Sequence, residues 1–294
     1  MSLSVHVENV SQRFGETTAL NQLSFSLEAG KIYGLLGRNG SGKSTLLSII
    51  GAFRKPTDGL VRIDNEPVFE NAAMMRQICL IRESGDTVED RDKVADAIGF
   101  ASGMRPNWDS EYAGQLTERL GLNTRKKIRD LSRGQRSALG VVLGLAARAP
   151  LTMFDESYLG MDAPARYIFY DELLADFIRH PRTLIISTHL IEEVSSLFEE
   201  VVIIDRGKLL VHEETDRLLA RGVSVTGSTE MVDRFTDGLT VLNAKQLGPT
   251  KSAMVFGSLD NSRLRDAEAA DLDIGPVALQ DMFVHLTGSA EVSK

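Results

Sequence analysis

Four short apolar runs rich in β-branched residues stand out along the chain: Ile32–Leu36, Leu151–Phe154, Leu184–Ser187 and Val201–Ile204. None alternates with polar positions, the pattern of strands covered on both faces. Helical spacing fills the gaps between the last three, which predicts an α/β core with a mostly parallel sheet. Ser4–Val10, Leu23–Leu27 and Leu60–Ile63 instead alternate or run short, and read as an additional antiparallel sheet. Asp-Gly and Asp-Asn between Asp58 and Pro67 predict hairpin turns there.

From about Glu83 to Ala149 the period becomes helical. Val94, Ala97, Ile98 and Ala101 share one face, and Tyr112, Leu116 and Leu120 share another. Pro106-Asn-Trp-Asp109 separates these two helices, with Asp109 or Ser110 as the cap of the second. The segment predicts a helical subdomain, residues 83–149, inserted into a domain spanning 1–215. Residues 216–294 read as a small α/β appendage: strands Val223–Thr226, Leu239–Leu242 and Ala253–Phe256 alternate with helical stretches, and an amphipathic helix carries Leu279, Met282, Phe283 and Leu286.

A net charge of −8 over 294 residues argues against a nucleic-acid partner, whose usual footprint is basic. The lone Cys79 lies in an apolar run and reads as a buried small hydrophobe in a reducing cytoplasm. No apolar run approaches the ~18 residues that would span a bilayer. Any service to a membrane would therefore go through a partner.

The first chemistry is Gly37-Arg-Asn-Gly-Ser-Gly-Lys43-Ser44-Thr45, between the run Ile32–Leu36 and the helical run from Leu46. Glycines at this spacing free backbone N–H groups to converge on an anion, and the helix N-terminus adds a favourable dipole. Gly37, Asn39, Gly40, Ser41, Gly42 and Thr45 form the cradle. Lys43 would reach the β- and γ-phosphates, and Ser44 would place its hydroxyl on Mg²⁺.

Downstream, Leu151–Asp155 is a strand ending in Asp155-Glu156. Asp155 would face the phosphate loop as a Mg²⁺ carboxylate, and Glu156 would polarise a water for in-line attack. Ser132 and Gln135 have capping-box spacing ahead of a long apolar helix. Gly134 in its first turn is unnecessary for capping, but it permits close approach of a phosphate. His189, after the third apolar run, could hydrogen-bond a γ-phosphate.

These motifs, in this order, resemble the ATP-binding subunit of an ABC (ATP-binding cassette) transporter, over about Val5 to Val211. Gly37–Thr45 is similar to Walker A, Leu131–Gln135 to the signature sequence, and Leu151–Asp155 with Glu156 to Walker B and its glutamate. Gly160-Met-Asp162 resembles the D-loop, and His189 the switch histidine. The resemblance implies a P-loop NTPase core with an antiparallel β subdomain and an inserted helical subdomain. It implies a head-to-tail pair, homodimer or heterodimer, in which the signature residues Ser132, Gly134 and Gln135 of one subunit face the other's ATP; Asp162 is carried over as a nucleotide-binding residue of the D-loop. Phe14 sits where the family places an adenine-stacking aromatic; a packed hairpin residue is the alternative.

Three positions depart from the family. In Ile78–Glu83, Glu83 stands where the loop at the start of the helical subdomain usually has Gln: either a working Mg²⁺ ligand or a solvated residue. Arg133 replaces the first signature glycine and Ser157 the proline after the glutamate; neither removes an essential group.

The resemblance thus implies an ATP hydrolase with ATP and Mg²⁺, peripheral on the cytoplasmic face of the membrane beneath separate membrane-spanning chains. Docking contacts would lie at Arg82–Asp92 and Pro106–Trp108. The Pro-Asn-Trp-Asp segment and compact helical insertion are similar to bacterial ABC-2-type exporters. The competing reading is an ABC-type ATPase acting on DNA or ribosomes, against which stand the single uninterrupted cassette and the acidic balance. A GTPase would carry Asn-Lys-x-Asp, which does not occur.

Overall fold

The computed structural model describes residues 2–82, 90–257, 259 and 261–288. The chain divides into two compact units, Met1–His189 with Ser196–His212, and Leu190–Ser195 with Glu213–Lys294.

In the first unit, strands β1 (Val5–Phe14), β2 (Thr17–Leu27), β4 (Asp58–Ile63) and β5 (Glu66–Pro67) make an antiparallel sheet in the order β2-β1-β4-β5; β3 is Ile32–Leu36. The β4–β5 turn is Asp64-Asn65, both left-handed at φ 47° and 70°, as a tight hairpin demands. A second sheet has the order β10-β9-β3-β8-β7-β6, with β6 Ile78–Arg82, β7 Leu151–Asp155, β8 Thr183–Thr188, β9 Glu200–Asp205 and β10 Lys208–Glu214. The pairs from β9 through β3, β8 and β7 to β6 are all parallel.

This sheet holds a strand the sequence reading did not assign: Ile78–Arg82 runs in register with Leu151–Asp155 and leads into the position of Glu83. Its four leading residues are all buried, so it carries the unalternating signature of a doubly covered strand.

Helix α1 (Lys43–Ile50) follows β3 and buries Leu46, Leu47, Ile49 and Ile50 in one core with Val5 and Val7 of the antiparallel sheet and Met153, Ile185 and Val202 of the parallel one. A short helix α2 (Ala72–Met75) precedes β6. The inserted helices are α3 (Val94–Met104), α4 (Ser110–Arg119) and α5 (Arg133–Ala146), and α6 (Ala163–Arg179) follows β7. Asp109, not Ser110, caps α4, accepting from the Tyr112 N–H at 2.8 Å. Arg148 joins that cap to α6, reaching Asp109 at 2.7 Å and Asp176 at 3.3 Å. Cys79 is buried, and burial raises its thiol pKa.

The second unit is built on an antiparallel sheet whose strands are, in spatial order, Thr240–Leu247, Thr250–Phe256, Gly222–Ser228 and Asp273–Pro276. Val225, Val232, Phe235, Ala253, Val255, Ala267 and Leu272 form its core. The Asp273–Pro276 strand was not anticipated: Gly275 and Pro276 are poor strand formers, and only pairing to Val223–Thr226 extends it.

Candidate functional site

The phosphate loop is a backbone solution that side chains would spoil. Gly42 caps α1 at φ 107°, and a Cβ there would lie 2.7 Å from the Ala19 carbonyl oxygen. At Gly37 a Cβ would meet the Ile204 carbonyl oxygen at 2.5 Å, so the loop nests between β9 and the antiparallel sheet. Asn39 and Gly40 are exposed at its crest, Thr45 is half-buried, and Ser41 is buried with its carbonyl accepting from the Gly207 N–H at 3.0 Å. Lys43, 5% exposed, folds back under the loop and donates to the Gly37 carbonyl at 2.7 Å.

The parallel register brings the remaining groups to the same sheet edge, because Leu36, Asp155 and Thr188 end neighbouring strands. Asp155 is buried. Burial pushes its carboxyl pKa up, while a hydrogen bond from the Ser44 hydroxyl opposes the rise. Among the described residues its Oδ1 has no hydrogen-bond partner. Such an orphaned buried carboxylate oxygen beside a hydroxyl suits a hard divalent cation.

Glu156 lies between two of the other expected residues. Its Oε1 is 3.5 Å from Lys43 Nζ and its Oε2 is 3.3 Å from His189 Nδ1. The Glu156 backbone is left-handed, at φ 49°, and its N–H donates to the Ser187 carbonyl at 3.1 Å. The structure thus gathers Gly37–Thr45, Asp155, Glu156 and His189, while Glu83 lies outside the described residues.

The signature residues engage another part of the chain. Ser132 and Gln135 form a capping box, each backbone N–H donating to the other's side chain at 3.2 Å. Lys126 Nζ also donates to Gln135 Oε1, at 3.0 Å. Gly134 has a packing reason that the sequence did not reveal: a Cβ there would lie 2.6 Å from the Gly160 carbonyl oxygen. Asp162 caps α6, accepting from the Ala165 N–H at 3.0 Å.

Phe14 is 43% exposed at the end of β1, with the Arg54 guanidinium 4.7 Å from its ring centroid. Arg54 carries no motif and could not be assigned this place from its neighbours in sequence. A separate groove of about 320 Å³ lies between α2, β6 and α3, edged by Phe53, Met75, Phe100 and Met104, all exposed. Arg82 stacks on Phe53, 4.5 Å from the ring centroid.

A family model for the ABC transporter matches residues 20–158. The ABC transporter ATP-binding protein YdbJ of Bacillus subtilis is 30% identical over 70% of this chain and 67% of its own length. The chain belongs to the ABC transporter ATP-binding family. Nod factor export ATP-binding protein I of Burkholderia lata is 29% identical over 97% of both chains. The same fold occurs in a dimeric ATP-binding cassette solved in a post-hydrolysis state with ADP and phosphate, at TM-score 0.63 and 22% identity over 72% of this chain and 98% of that one. This ABC subunit binds and hydrolyses ATP, and subunits of its kind dimerise and work with membrane-spanning chains. Among the described residues no helix is long and apolar enough to cross a membrane. Its association with the membrane is that of a transporter's ATP-binding subunit.

Proposed function

We propose that this chain energises export by separate membrane-spanning chains, working at the cytoplasmic face as one of two ATP-binding subunits paired head to tail. The observation that carries the site assignment is the position of Glu156, held between Lys43 and His189 at the edge where Asp155 and the phosphate loop also end. The Nod factor export protein, aligned along nearly its whole length, supports the transport direction. All the relatives reported above are transporter subunits, which leaves the DNA or ribosome reading without support.

In this reading the N–H groups of Gly40–Thr45 and the Lys43 ammonium hold the β- and γ-phosphates. Mg²⁺, when bound, neutralises phosphate charge; Ser44 and the open Oδ1 of Asp155 are the groups that would hold it. Glu156 takes a proton from water as its oxygen attacks the γ-phosphorus. The bond from that phosphorus to the bridging oxygen breaks, and ADP leaves with that oxygen. His189 braces the Glu156 carboxylate by their contact. Phe14 offers adenine one ring face, Arg54 covering the other. Ser132, Gly134, Gln135 and Asp162 would serve the partner's nucleotide from the exposed start of α5 and the cap of α6.

The groove edged by Phe53, Met75, Phe100 and Met104 is a docking surface for a membrane-spanning chain, in addition to the contacts expected at Pro106–Trp108, of which Pro106 and Asn107 are exposed. Trp108 is half-buried with its indole nitrogen shielded. Of the contacts expected at Arg82–Asp92, residues 83–89 lie outside the described residues.

Glu156→Gln tests the reading. The variant is expected to bind ATP normally, lose at least about a hundred-fold in turnover, and form a dimer with Mg-ATP that ADP does not support. Wild-type turnover, or equal association with ATP and ADP, would refute it.

A further inference from the structure

Glu156 occupies a backbone region that non-glycine residues visit seldom, and such a residue stays there only when its surroundings over-determine it. Two hydrogen bonds bracket it. On one side its N–H donates to the Ser187 carbonyl at 3.1 Å. On the other its carbonyl accepts from the Leu159 N–H, also at 3.1 Å, closing a turn over Glu156–Leu159.

That turn is gripped from a distant part of the sequence. The Ser137 hydroxyl on α5 donates to the Leu159 carbonyl at 2.7 Å. Ser137 is 3% exposed and begins the buried, otherwise apolar run of α5 that continues to Ala146. A polar group at such a position requires a specific partner, and the Leu159 carbonyl is that partner. Two further contacts tighten the same junction. Gly134 lets the first turn of α5 lie on the Gly160 carbonyl, and the Arg133 stem covers Gly160, itself at φ 90°. The start of α5 and the residues after Glu156 are therefore packed backbone to backbone.

We propose that Ser137 is a positioning residue for hydrolysis. By holding the Leu159 carbonyl it maintains the turn that keeps the Glu156 carboxylate between Lys43 and His189. The inference rests on the reading of Glu156 as the base. It also gives Arg133 a role at a position where the family usually has glycine: its stem packs on the loop that Ser137 holds. The coupling lies within one subunit, so it joins the helix offered to the partner's nucleotide with the base acting on this subunit's own.

The experiment uses the full chain with Ser137→Ala, Glu156→Gln and the double variant, measured for steady-state turnover, ATP affinity and Mg-ATP-dependent association. Ser137→Ala is expected to lower kcat about five-fold, the order of one lost hydrogen bond, with KM and ATP affinity within about two-fold of wild type. Added to Glu156→Gln, it is expected to produce no further loss, since its effect passes through the carboxylate already removed. Unchanged kcat in Ser137→Ala would overturn the proposal. So would ATP affinity falling in step with kcat, or a loss on top of Glu156→Gln as large as in wild type. Failure of the underlying reading is seen separately, as wild-type turnover in Glu156→Gln alone.

Discussion

Gly134→Ala separates two reasons for a glycine in the signature. If the residue serves only the close approach of a partner's phosphate, alanine should stabilise the isolated subunit, because Gly→Ala in a helix is worth up to about 1 kcal/mol. The structure predicts the opposite sign. The new Cβ would lie 2.6 Å from the Gly160 carbonyl oxygen, where ordinary contact begins at 3.4 Å, so two backbone segments must part by about 0.8 Å. Neither is a flexible side-chain end. Overpacking of this kind costs about 1–3 kcal/mol, which leaves a net loss of up to about 2 kcal/mol after the propensity gain. For a unit of this size a loss at that limit lowers Tm by about 4–8 °C. Gly114→Ala is the internal control: Gly114 lies within α4, nothing among the described residues approaches its would-be Cβ within 4 Å, and Tm should rise by a few degrees. Both are read by thermal unfolding without nucleotide. A rise in Tm for Gly134→Ala comparable to that for Gly114→Ala would refute the packing argument.

Two more expectations concern the site and the groove. Because burial raises the Asp155 pKa, the ionised carboxylate weakens the nucleotide-free fold above that pKa, and the penalty is relieved as pH falls through it. Asp155→Asn should therefore raise Tm at neutral pH while abolishing Mg²⁺-dependent turnover; a lower Tm would contradict the electrostatic account. Phe100, 70% exposed, and Met104, 61% exposed, make Phe100→Glu with Met104→Glu a probe of docking. The pair should leave the isolated subunit's turnover within about two-fold and abolish co-purification with its membrane-spanning chains, and retained co-purification would move the docking surface elsewhere.

The parts of the fold legible in sequence were those whose signal is local. Ile32–Leu36 and the glycine-rich stretch to Thr45 are contiguous, so strand, loop and helix follow from spacing. Ser132 and Gln135 cap one another within three residues, and the structure forms that box. Ile78–Arg82 carried an equally apolar run, and its place as a strand is fixed by pairing with Leu151–Asp155 far along the chain. Asp273–Pro276 had no signal at all, since its residues are extended by their partner and not by propensity.

Residue types and order along the chain were enough to assemble the phosphate loop, the acidic pair, the capped helix and the histidine, and with them the chemistry of a nucleotide hydrolase. Tertiary structure decided how those groups stand to one another. Glu156 meets Lys43 and His189 because three parallel strands end together, and its left-handed backbone is braced by Ser187 and Leu159. Gly134 and Ser137 acquired their second meaning only when α5 came against Leu159 and Gly160. The physical reason is range: loop conformation and capping are set within a few residues, whereas register, close backbone approach and burial depend on segments far apart in the chain.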